Sequence, residues 1–279
     1  YAGLAWGYPF DWQNNRGLWK KGTPFVTVAP YCLEAFLALY DVTKKSEFLD
    51  AAHSVARFLA NDIKDTPVSA NASAASYSPQ DSTQVLNVSA YRAFALFEAY
   101  DRFREAPFLE KASKNLEFIL QNQKNDGSWL YAENNPQDAF IDHFHTCFVL
   151  KNLKKINDRQ KRPDVEKALL DGYRYYRKNL FNEHDEPKPF VISSHLQLTQ
   201  VEMYDWAEAI HLGVLLKNEI PEAYDLAWQL AEKVKNRYQL PDGHFVTKVY
   251  RGGFTNRVPY IRWPQAQMFH ALTYLWKDS

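Results

Sequence analysis

Two kinds of helical segment alternate along this chain, and that alternation limits the fold more than any motif does. One kind is amphipathic and rich in charge. In "SEFLDAAHSVARFLAND", Phe48, Ala52, Val55, Ala56 and Leu59 form a single apolar stripe, and in "PFLEKASKNLEFILQNQ" Leu109, Ala112, Leu116, Ile119 and Leu120 do the same. "PDVEKALLDGYRYYRKNLF" and "PEAYDLAWQLAEKVKNRY" follow this pattern. Pro107, Pro163 and Pro221 stand at the first turns of three of these helices, where a missing N–H costs nothing. The other kind carries few charges and occupies 28–42, 85–102, 139–156, 201–217 and 263–276. A sparsely charged helix is a buried one. Inner and outer helices therefore alternate with a repeat of roughly 55–62 residues.

Stacked helical hairpins with inner helices lining a centre make an all-α fold, an (α/α) toroid. The pattern gives four hairpins and one last inner helix in a single domain spanning residues 1–279. The odd helix predicts an incomplete six-hairpin barrel that lacks about three N-terminal helices, roughly 90 residues at usual helix rise and loop lengths. Short strands or β-turns are expected in "NDGSWLY", "HDEPKPF" and "PDGHFVTKVY", all at one end of the bundle. "PVSANASAASYSPQD" reads as a long loop between hairpins.

The 33 basic and 33 acidic side chains balance, which argues against a nucleic-acid or anionic-membrane surface. No apolar run approaches the ~18 residues of a membrane span, and no signal-peptide pattern opens the chain. The expected compartment is the cytoplasm, although a signal peptide upstream of Tyr1 would change that. Cys32 and Cys147 sit in apolar helical patterns and read as buried thiols. The 18 Phe, 17 Tyr and 8 Trp suit a core and also a pocket in which sugars stack.

The unusual polar residues cluster before or within the first turns of the inner helices. Asp11 precedes the first. Asp81 and Asn87 lead into the second, and Asp142, His143 and His145 start the third. Asp205 and Glu208 start the fourth, and Tyr260, Arg262 and Trp263 lead into the fifth. In a toroid these starts meet at one face, so these residues are expected to rim one cleft. First-turn acids also complement the helix dipole, which alone accounts for Asp142 and Asp205 but not for the tryptophans, Arg262 and histidines around them. Asp142 and His145 are three apart and can touch, whereas His143 and His145 point apart. Phe140, Phe144 and Phe148 lie four apart, so one packed stripe of phenylalanines is expected, with Asp142 and His145 on another. HExxH, paired-cysteine and phosphate-loop patterns are missing, so neither a metal nor a cofactor is expected. "QKNDGSW" resembles the QW repeat of triterpene cyclases, in which Gln and Trp brace adjacent helices. The DxDD acid motif of those enzymes is missing.

Several phrases resemble those of bacterial α/α-toroid proteins associated with exopolysaccharide biosynthesis: "WGYPFDWQ", "YSPQDSTQVLNVSAYRAF", "DGSWLY" with "FIDHFHTCFVL", "YDWAEAI" and "VPYIRWPQAQMFHALTYL". They fall in order over almost the whole chain. The resemblance implies an architecture of the six-hairpin glycosidase and squalene-cyclase type and a polysaccharide partner. At Trp206 the chain departs from a histidine expected there. The expected catalytic groups are Asp142, His145, Asp205 and Asp11. The expected sugar contacts are Trp6, Tyr8, Trp12, Asn87, His143, Trp206, Glu208, Tyr260, Arg262 and Trp263. Two readings follow. One is an enzyme doing acid–base chemistry on a glycan, by hydrolysis, elimination or epimerisation. The other is a non-catalytic polysaccharide-binding or assembly protein.

Overall fold

Three of the hairpins turn through one residue in the left-handed region: Lys44 (φ 57°), Arg104 (φ 60°) and Lys161 (φ 50°). Glycine usually fills such a helix end because it has no Cβ to clash. Here Lys44 and Arg104 donate their backbone N–H to the carbonyls of Tyr40 and Tyr100. Their cations then lie over the same tyrosine rings, 5.7 and 5.5 Å from the centroids. A cation at a helix C-terminus is also favoured by the dipole, which offsets the strain.

The structure is a computed structural model that describes residues 1–14, 17–135, 138–193 and 196–277, with only the backbone described at Asn14. Two compact units emerge. The first comprises Tyr1–Asn122 with Ala132–Asn134 and Arg159–Lys161. It holds the strand pair β1 (Trp12–Asn14) and β2 (Gly17–Trp19), followed by the helices α1 (Ala29–Thr43) and α2 (Ser46–Asn61). The antiparallel pair β3 (Asp65–Pro67) and β4 (Ser73–Ala75) comes next, and then α3 (Leu86–Phe103) and α4 (Ala106–Gln121). The second unit comprises Gln123–Tyr131, Asn135–Asp158 and Arg162–Ser279. Its elements are β5 (Ile141–Asp142), α5 (His143–Gln160), α6 (Pro163–Asn179), β6 (Phe190–Ile192), β7 (Thr199–Glu202), α7 (Met203–Leu215) and α8 (Pro221–Arg237). They continue with β8 (Lys248–Tyr250), β9 (Thr255–Asn256), a π-helical turn (Ile261–Gln265) and α9 (Ala266–Lys277).

Nine α-helices among the described residues fall close to the expected segments. The largest offset is α5, which starts at His143 because Ile141 and Asp142 pair with β6 instead. Strands form after "HDEPKPF" and "PDGHFVTKVY" begin, as β6 and β8, whereas "NDGSWLY" makes only a turn at Gly127 (φ 91°). The supposed long loop contains β4, whose three residues are all buried. Cys147 is buried as expected, but Cys32 is only half-buried.

Burial divides the inner helices in a way the sequence pattern does not. Helices α3, α5 and α7 bury 13 of 18, 11 of 18 and 11 of 13 residues. Helices α1 and α9 bury only 4 of 15 and 3 of 12, no more than the outer helices. Val42 in α1 and Phe269 and Trp276 in α9 are largely exposed. The expectation that all five are deeply buried therefore fails at α1 and α9. Helix α1 packs against α2 and α3, and α9 against α7 and α8, which covers part of each surface.

Close approach shapes the second unit at two glycines. A Cβ at Gly213 in α7 would lie 2.3 Å from the carbonyl oxygen of Ala223 in α8. One at Gly172 in α6 would lie 2.5 Å from the Trp129 ring. The tryptophan of "QKNDGSW" thus lies flat on α6, and Gln123 Nε2 donates to the carbonyl of Ala168 in the same helix (2.8 Å). This is a bracing role for both residues.

Candidate functional site

The start of α5 is fixed by His143. Its backbone N–H donates to Pro189 O (3.0 Å), and its ring nitrogens face Leu180 O (3.1 Å) and Tyr176 Oη (2.7 Å). The ring is fully buried, and burial pushes its pKa down to about 3 despite its hydrogen bonding to the neighbouring backbone carbonyls. It is a neutral pin holding α5 to α6. Both ring nitrogens are engaged and the side chain is fully buried, which does not suit the sugar contact expected at His143.

Two residues further along a helix is a rotation of about 200°, so His145 points away from that pin. Its Nδ1 lies 2.6 Å from Asp142 Oδ2, while Asp142 Oδ1 accepts the backbone N–H of His145 (3.1 Å). One carboxylate thus caps the helix with one oxygen and orients the imidazole with the other. The cap and the functional pair are the same object. The Asp142 side chain is 2% exposed and that of His145 is 21% exposed. The Nε2 of His145 has no hydrogen-bond partner among the described residues.

The packing differs from the expected phenylalanine stripe. Because α5 begins at His143, Phe140 lies before the helix, where it stacks on Tyr131 (4.5 Å, 16°) and meets Phe190 edge-on. Only Phe144 and Phe148 pair along the helix (5.7 Å). His145 does not turn away from the aromatics but sits among them, with centroids 4.2 Å from Phe144, 4.5 Å from Tyr131, 5.7 Å from Phe148 and 6.1 Å from Phe140. Tyr204, next to Asp205, stacks on Phe144 (5.1 Å, 22°) and links the starts of α5 and α7.

At the start of α7, Asp205 is 1% exposed, and neither carboxyl oxygen has a hydrogen-bond partner among the described residues. Burial is the main reason its pKa lies well above the usual carboxylate range, and the nearby Glu202, Asp142 and Glu208 carboxyls push it further. Glu202 pairs with Lys248 (2.5 Å), to which the β7–β8 register brings it opposite. One turn further, Glu208 pairs with Lys151 of α5 (2.5 Å), whose Nζ lies 3.2 Å from His211 Nδ1. Burial raises the pKa of Glu208 in spite of Lys151. Burial and then Lys151, His270 and Lys155 hold His211 well below the usual histidine value. The rings of His211 and His270 meet edge-on at 4.7 Å.

The remaining expected residues fall in varied places. Trp206 is fully buried against Tyr238, the residue just after α8, and lies on a different side of α7 from Asp205 and Glu208. It is not at the His145 site. Glu208, likewise, is sealed by Lys151 rather than open to a sugar. Tyr260 is exposed in the turn before α9, and Arg262 lies over the Trp263 ring at 4.7 Å. In the first unit, Asp11 accepts the backbone N–H of Lys21 (2.7 Å) and the Lys20 ammonium (3.1 Å), and the backbone bond first holds its carboxyl below the usual range. It ties the β1–β2 hairpin and lies on the surface. Tyr8 is buried among Phe10, Trp12 and Phe25, and Trp6 packs on Phe36. Asn87 is buried in the first turn of α3.

Lys151, Glu202, Lys248 and Tyr131 were not expected. Lys151 had a visible signal, a lone cation inside the apolar run "CFVLKNL", which requires a buried partner. No group of three or more His, Cys, Asp or Glu side chains among the described residues is placed to hold a metal ion. No helix among them is long and apolar enough to cross a membrane.

No protein-family model matches the chain, and no curated protein matches it. Solved structures do. Cellobiose 2-epimerase from Bacillus thermoamylovorans aligns over 91% of this chain and 75% of its own, with a TM-score of 0.67 and 14% identity. The GH76 α-mannanase from Bacteroides thetaiotaomicron aligns over 91% and 70%, with a TM-score of 0.67 and 13% identity. An unsaturated glucuronyl hydrolase specific for heparin aligns over 98% and 74%, with a TM-score of 0.65 and 11% identity. At these identities the likeness is one of fold: the chain is an all-α protein with the α/α-toroid fold of six-hairpin glycosidase-like proteins.

Proposed function

We propose that this protein acts on a glycan by proton transfer at the Asp142–His145 pair, with Asp205 as a second, buried proton store. The observation that carries this reading is the 2.6 Å contact that orients His145 while leaving its Nε2 open. The rings of Tyr131, Phe140 and Phe144 pack around the His145 ring and offer apolar surfaces on which a sugar could stack. Among hydrolysis, elimination and epimerisation, the geometry favours the latter two. Two-carboxylate hydrolysis needs both acids to face the bond being broken. Asp142 has both oxygens engaged and Asp205 is buried, so His145 is the ionisable group of this set that reaches solvent. An imidazole suits abstraction of a proton from a sugar carbon beside a carbonyl or carboxylate. The neighbours of this fold include an epimerase, a mannanase and a glucuronyl hydrolase, which supports carbohydrate chemistry as the general class. A role in bacterial polysaccharide metabolism belongs to the same proposal.

A second reading is a non-catalytic glycan-binding protein, favoured by the single exposed ionisable group at the site. Mass-spectrometric turnover screening with neutral and uronate-containing oligosaccharides decides between them. Proton exchange from solvent deuterium into a sugar, lost in His145→Gln, supports the enzyme. Binding without exchange or any new product supports the binding protein.

A further inference from the structure

A cavity of about 450 Å³ lies in the second unit between the segment after α6, strand β7 and the end of α8. Its size falls within the range of about 300–1,000 Å³ in which small molecules bind. Three features mark it as more than a packing gap. First, its lining is cationic: Lys188, Arg237 and Arg251 stand against one carboxylate, Glu186. Glu186 pairs with Arg237 alone of these three, leaving Lys188 and Arg251 without an ion-pair partner among the described residues. Second, Trp206 backs the cavity wall and is fully buried, and its indole N–H has no acceptor among the described residues, so a charge bound in the cavity acts on it across a short, water-free distance. Third, the amides of Gln197 and Gln200 also line the wall, beside aromatic side chains. Cations, amides and aromatic faces together suit a hydroxylated ring that carries negative charge.

We propose that this cavity is a binding subsite for an anionic saccharide, which places a carboxylate against Lys188 and Arg251, in front of the buried Trp206. The saccharide part rests on the glycan reading above; the anion part rests on the cavity alone.

The test uses the intact chain and the indole N–H resonances of its 8 tryptophans, with Trp206 assigned from Trp206→Phe. Sodium glucuronate is titrated first, then a short polyuronate, with glucose, acetate and inorganic phosphate as controls. The expected result is a saturable shift of the Trp206 resonance by glucuronate, absent with glucose. Arg251→Gln and Lys188→Gln should each weaken binding about tenfold, as loss of a charge-assisted contact does. A Trp206 resonance that stays still at high glucuronate overturns the proposal, as does unchanged affinity in the Arg251→Gln, Lys188→Gln double variant. Acetate or phosphate binding as tightly as glucuronate overturns the saccharide assignment. Should Trp206→Phe fail to fold, the two surface variants still decide, with calorimetry as readout. Asp142→Asn separates this proposal from the previous one. If Asp142→Asn keeps full turnover while Trp206 still answers glucuronate, the acid–base reading fails and the subsite stands. If Asp142→Asn abolishes turnover while Trp206 is silent, the reverse holds.

Discussion

Helices α3 and α7 both bury charged side chains deep in their units, yet they treat them in opposite ways. In the first unit, Arg92 of α3 is fully buried and thoroughly answered. Its Nε donates to Leu59 O (2.8 Å), its Nη1 to Asn115 Oδ1 (3.2 Å), and both Nη atoms to Asp65. Lys111 adds a second cation to Asp65 (2.6 Å). Burial works against the Asp65 carboxylate, but Arg92 and Lys111 together hold its pKa below the usual value. In the second unit, Asp205 of α7 is equally buried, and both its oxygens lack hydrogen-bond partners among the described residues. Satisfied networks hold a fold together, whereas an orphaned buried acid destabilises it and persists where it serves something else. The contrast separates scaffold from site without reference to any other protein.

The largest effect expected from this contrast is at the scaffold. Arg92→Met takes the main cation from Asp65, which keeps Lys111, and leaves the buried Leu59 carbonyl and Asn115 Oδ1 without their donor, so it should cost about 3 kcal/mol. Thermal unfolding of the variant checks this, and a loss under ~1 kcal/mol would remove the scaffold half of the comparison. Next comes the site. Asp142→Asn keeps much of the capping ability but weakens the hold on His145, so turnover should fall about 10²–10⁴-fold with little change in melting temperature. Equal turnover in Asp142→Asn and wild type would reduce the pair to a helix cap.

Asp205 gives a smaller, signed effect. Its folded-state pKa is raised, so the folded protein keeps a proton that the unfolded chain releases above about pH 4. Stability is therefore lost as pH rises from there towards the folded pKa. Asp205→Asn removes that loss, and its stability relative to wild type should climb between pH 4 and 8. Histidines 143 and 211 act in the other direction. Their lowered pKa values mean that only the unfolded chain gains these protons below about pH 6.5, so stability falls as pH drops through that range in both proteins. Denaturant melts at several pH values measure both limbs. A variant whose stability tracks wild type at every pH would mean that Asp205 ionises normally.

Much of the scaffold was legible from residues alone, because helix periodicity and proline placement are local signals. Pro107, Pro163 and Pro221 mark α4, α6 and α8 to within a residue. The Asp142–His145 contact was legible too, since an acid just before a helix start reaches the N–H and side chain three residues on, whether or not it is itself helical. The hidden part is set by partners distant in sequence. Strand β6 claims Asp142 and delays α5, which moves Phe140 off the helix and puts His145 among aromatics. Lys151 and Glu208 lie on different helices, and no spacing rule joins them. Trp206 reads as a sugar platform by residue type, but its rotation on α7 turns it towards Tyr238 instead.

The smallest expected effect asks whether the difference belongs to the units or to the site. Gln123 lies in the second unit and is a satisfied brace like Arg92: its Nε2 donates to Gly127 O (3.0 Å) and Ala168 O (2.8 Å). Being half-buried and uncharged, it strands no ion when removed. Gln123→Ala should cost about 1 kcal/mol, the net worth of a neutral hydrogen bond, and leave turnover untouched. Melting temperature and turnover on one preparation give the answer. A turnover loss as large as that of Asp142→Asn would mean that the second unit as a whole is tuned for function. The expected result, a small stability loss with full turnover, ties the loss of turnover to the Asp142–His145 pair and not to bracing in the second unit as a whole.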